Sequence, residues 1–202
     1  MVEQSLRKRE VGGSSPSTGT SFPALNLTAK LALALLSVGG YWLIVVLAKH
    51  YDWSGAVFGF QWPFHLIGLV FGALVLAPYA ARAAHRAARM FALSVASAAI
   101  YYLAVRFIVD GPLGYSTTAP YVIAGAIAAV LSGLAVIALA PGRFHWRLVG
   151  MTLAAGATGG AAFEWQLPID WAPNDLHAYL TWQILVCLAL HHGFLPAVRR
   201  AE

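Results

Sequence analysis

Two histidines, three acids and one arginine stand near the ends of long apolar runs in a chain otherwise poor in charge: His65, Arg106, Asp110, Glu164, Asp175 and His177. An imidazole beside a carboxylate can relay a proton or hold a metal, and charge inside hydrocarbon usually pairs or lines a cavity. The densest stretch runs from Thr152 to Thr181. Thr152, Gly156, Gly160 and Glu164 recur every four residues, which puts them on one helix stripe topped by a carboxylate. After a loop with Pro168, Asp170, Trp171 and Pro173, a second apolar helix opens with Asn174, Asp175 and His177. Glu164 and His177 are therefore expected to face one another across two antiparallel helices. The pairing would compensate a carboxylate for lost hydration.

Each chemistry makes its own demand on spacing. A metal site is weakly supported, because no HxxxH or HExxH pattern is present, so the metal stays unknown. A proton relay open to one side fits the cluster, although no chain of acids continues toward the other side. Serine hydrolysis lacks a GxSxG turn, and Ser94 and Ser97 sit deeper than the histidines, where helix packing accounts for them. Haem needs axial ligands at equal depth on facing helices. His177 and His191 stand fourteen residues apart on one helix, but His65 and His85 only bracket theirs, leaving one haem b between His65 and His177 as the arrangement the pattern allows. His85, His145, His191 and His192 lie near arginines, a setting suited to anionic headgroups or a cytoplasmic partner. Cys187, the one cysteine, falls inside an apolar run and reads as a packed thiol.

Of the 202 residues, 59% are hydrophobic and only 10% charged, against about a quarter charged in a soluble domain. The chain reads as an all-α integral membrane protein. Six apolar runs, near 27–48, 62–81, 88–108, 119–140, 146–164 and 175–196, approach the ~20 residues that a helix needs to cross a bilayer. Residues 1–26 read as a flexible cytoplasmic tail. Pro63, Pro120 and Pro173 suit helix starts, whereas Pro78 kinks or ends the second run. Arg82, Arg86, Arg89, Arg143, Arg147, Arg199 and Arg200 sort to the side of the tail, while Lys49 and Arg106 fall opposite. Six spans with both termini cytoplasmic follow from that sorting. A bacterial inner membrane is the expected location. The formal charge of +5 is explained by topology and gives no reason to invoke nucleic acid. Lys30 is placed to snorkel toward the headgroups.

Small residues four apart mark three helices as close-packing: Gly68 and Gly72, Gly125 and Gly133 with Ala129 between them, and Gly156 and Gly160. Such seams let backbones approach and gain dispersion where lipid removes the hydrophobic drive between helices. They join helices of one chain, copies of the chain, or a membrane-protein partner. The first functional reading is a non-enzymatic accessory subunit or regulator in a membrane complex. The alternative is a small-molecule binder, transporter or b-type haem redox protein using the outer His/carboxylate cluster.

Overall fold

The computed structural model describes residues 25–51, 62–81, 83, 85–113, 117–140, 144–164 and 176–198. The tail over 1–24, the aromatic loops over 52–61 and 165–174, and Asp175 lie outside them. Among the described residues the chain is all helical: α1 Leu27–His50, α2 Trp62–Phe71, α3 Arg86–Asp110, α4 Ala119–Leu139, α5 Trp146–Ala161 and α6 Leu176–Val198. Three of these are long and apolar enough to cross a membrane, over Leu27–Ala48, Arg86–Asp110 and Ala119–Leu139.

Local chemistry sets the helix ends. The Asn26 side chain accepts from the Ala29 amide at 2.8 Å and caps α1. Pro78 has no amide to donate to Leu74, and its ring crowds that carbonyl. The chain accordingly leaves α geometry there, widening into a π-turn over Gly72–Leu76 and tightening into a 3₁₀ turn over Ala77–Ala80. His85 takes the left-handed conformation at φ 53°, and α3 starts directly after it. Arg86 and Arg89 therefore belong to the first turn of a long helix. The Arg89 guanidinium donates to the Leu139 carbonyl at 3.2 Å, meeting the exposed acceptors and negative dipole end of α4.

Each helix packs on its neighbours in sequence, and α6 closes the ring by packing on α1. The core draws on all six, with Ala34, Phe71, Leu93, Ala129, Leu148 and Leu190 buried together. Glycines decide how closely they approach. A Cβ at Gly68 would stand 2.7 Å from that of Tyr101, and one at Gly72 2.6 Å from that of Ser97, so α2 and its π-turn lie directly on α3. Gly125 of α4 meets Gly156 of α5 backbone to backbone, Gly160 meets the Tyr121 carbonyl, and Gly133 faces Thr152. These seams are internal to one chain.

Candidate functional site

Of the outer residues named from sequence, Asp175 lies outside the described residues, and Arg106, Asp110, His65 and His177 make the following contacts. Arg106 and Asp110 pair with each other at 2.6 Å on an exposed face of α3, with side chains 54% and 46% accessible. Such i,i+4 pairs contribute only ~0.3–0.5 kcal/mol. His65 lies edge-on to Tyr102 of α3, ring centroids 4.7 Å apart. His177 donates from Nε2 to the Ala162 carbonyl at 3.0 Å. Glu164 is exposed, and its stripe is broken: α5 ends at Ala161, and the 3₁₀ turn Ala162–Glu164 advances by three residues per turn. Thr152, Gly156 and Gly160 keep the buried face, while Glu164 rotates off it. The carbonyl that His177 holds is one the shortened helix has left open. Among the described residues no three His, Cys, Asp or Glu side chains come together as a metal-holding group.

Two other features are built into the ring. The first is a cleft of about 60 Å³ between α3 and α4, walled by Ile100, Ala104, Val105 and Ile108 on one side and Tyr121, Ala124, Gly125 and Ala128 on the other. Phe71, Phe163, Tyr179 and Trp182 close its back. Trp182 is held by packing over Gly159 and by donating its indole N–H to the Gly125 carbonyl at 3.2 Å. Phe163 stands 5.3 Å from both Tyr121 and Tyr179, so the back wall is a continuous aromatic surface. The neighbouring outward side chains, Leu103, Ile123 and Ile127, are apolar and exposed. Within this lining the Tyr101 hydroxyl is buried with no hydrogen-bond partner among the described residues.

The second feature is a polar seam between α1 and α6. Tyr179, Gln183, Cys187 and His191 recur every four residues and share one stripe of α6. Across from them Lys30, Ser37 and Tyr41 follow helical spacing on α1. The stripes meet at both ends: Lys30 Nζ lies 3.3 Å from His191 Nδ1, and the Tyr41 and Tyr179 rings pack tilted at 31° with centroids 4.0 Å apart. The lysine ammonium donates in this contact and Nδ1 of His191 accepts. The ammonium also sits 4.2 Å over the Tyr79 ring and close enough to Cys187 to interact electrostatically. The lysine thus turns inward from the position that snorkelling would give it. Sequence reasoning missed this pairing by treating Lys30 and His191 separately as boundary residues. The recurrence of polar side chains every fourth residue of α6 was the available signal.

Comparison with known proteins gives no match: no family model, no curated sequence and no solved structure resembles the chain.

Proposed function

We propose that this protein is a six-span membrane protein, with both termini cytoplasmic and the bacterial inner membrane as its site, that binds an apolar small molecule drawn from the bilayer. The observation that carries this reading is the α3/α4 cleft, apolar along its walls, aromatic at its back and flanked by exposed aliphatic side chains. Ligand sites have this makeup, a mostly apolar concavity with a few polar groups to orient the guest. Tyr101 offers such a group at the back. Orientation rests on the basic ring ends: Arg86, Arg89 and Arg147 start their helices on the side where Lys30 starts α1, with Arg106 opposite. The accessory-subunit reading loses its main support, since the glycine seams that would have received a partner are occupied within the chain.

Photolabelling in native membranes tests the proposal. A diazirine-bearing acyl or isoprenoid probe is expected to label the stretch from Ile100 to Ile108. Ala104→Phe, which fills the cleft from its wall, should abolish that label while the variant inserts and purifies as before. Labelling spread evenly over all lipid-facing helices, unchanged by Ala104→Phe, would refute it.

A further inference from the structure

Ser37 and Gln183 are each only 1% exposed, and neither Ser37 Oγ nor Gln183 Oε1 has a hydrogen-bond partner among the described residues. In the antiparallel register that brings Lys30 to His191 and Tyr41 to Tyr179, these two side chains fall at the same depth on facing stripes. Polar groups in the interior of a membrane protein need partners, because neither lipid nor packed aliphatic side chains can supply them. Buried water takes that role where several polar groups converge. The spacing is continuous: Lys30 and His191 at one end, then Cys187, then Ser37 and Gln183, then the tyrosine group in which Tyr179 lies 5.9 Å from Tyr101. The Tyr79 hydroxyl, also buried and without a partner among the described residues, adds a polar group near the first of these steps. Tyr41, Ile67 and Tyr179 pack together and close the far end.

We propose that the α1–α6 seam is a hydrated half-channel, entered at Lys30 and His191 and closed at the tyrosines, that brings water and protons to the hydroxyls behind the cleft. Its mouth is chemically suited to protons. Lys30, His191 and the adjacent His192, whose ring lies 5.1 Å from that of His191, are exchangeable groups at the accessible end of the stripe. Among the described residues, Tyr79 and Cys187 are the other titratable groups facing Lys30. The half-channel does not depend on what occupies the cleft.

The protein carries its own reporter. Cys187 is the one cysteine, 1% exposed and one helical turn inside the mouth, so the S–H stretch of the whole chain belongs to this site. On transfer of the full-length protein in lipid to D2O, the band should convert to S–D at least ~10-fold faster than the protected core amides, whose exchange waits on opening of the fold. Lys30→Leu, which makes the mouth apolar, should slow that conversion, whereas Gln183→Leu, deeper than the reporter, should leave it fast. A band that persists as long as the core amides in the unmodified protein would show a dry seam and overturn the proposal. Conversion slowed by Gln183→Leu but not by Lys30→Leu would place the entrance at the tyrosines and overturn it equally.

Discussion

Gly156→Ala and Gly150→Ala make the same chemical change in the same helix and are expected to have opposite signs. At Gly150 an added Cβ meets nothing within 4 Å. Alanine there should gain up to ~1 kcal/mol, the difference between the two residues in helix propensity. At Gly156 the added Cβ would stand 2.6 Å from that of Ala129 and closer still to the Gly125 carbonyl. Ordinary carbon contacts lie at ~3.5–4.0 Å, so α4 and α5 must part by about 1 Å, forfeiting a quarter to a half of each dispersion contact across the seam. The obstacle is backbone and a methyl stub, neither of which can rotate away. Overpacking of this kind costs ~1–3 kcal/mol, and after the propensity gain is subtracted the net loss is up to ~2 kcal/mol. The two variants should therefore differ by the overpacking cost, ~1–3 kcal/mol, when reversible unfolding is followed in mixed micelles of sodium dodecyl sulfate and a mild detergent. If Gly156→Ala proves as stable as Gly150→Ala, the α4–α5 approach is looser than described and the reasoning fails.

Trp182→Phe removes the donor to the Gly125 carbonyl while keeping most of the ring, and the same titration should register a loss of ~1 kcal/mol. Trp146→Phe, at a side chain 77% exposed, should stay within ~0.5 kcal/mol of the unmodified protein. A reporter enzyme active only outside the cytoplasm should be silent after Arg200 and active near Gly114, and the opposite pattern would reverse the proposed orientation.

The helical class was legible because a chain with so few charges and apolar runs near twenty residues leaves a bilayer-facing backbone little alternative to internal hydrogen bonding. Pro78 was legible as the place where the second run departs from α geometry, since a missing amide is a property of the residue itself. The π-turn that absorbs the defect was not, because its form depends on how Gly72 and Val75 pack among their neighbours. Glu164 illustrates a different limit. Four-residue recurrence assumes that the helix keeps its pitch, and the last turn of α5 tightens, so the carboxylate leaves the face that Gly156 and Gly160 retain. The expected partner of His177 accordingly differs from the observed one, the backbone carbonyl of Ala162.

The Lys30–His191 contact escaped for a reason specific to membranes. In a soluble helix a polar stripe marks the outside, and the eye passes over it. In a helix that passes through lipid the same stripe points inward, because the surroundings offer it no partner. Of the polar side chains Gln183, His177, His191 and His192 on α6, three have environments turned toward the ring: Gln183 buried, His177 bonded to Ala162, His191 bonded to Lys30. That polarity specifies which face of α6 closes on α1, since rotating the helix by half a turn would turn Gln183 and His191 out of the ring and separate Tyr179 from Tyr41. The same face that completes the ring therefore carries the polar stripe Tyr179, Gln183, Cys187 and His191.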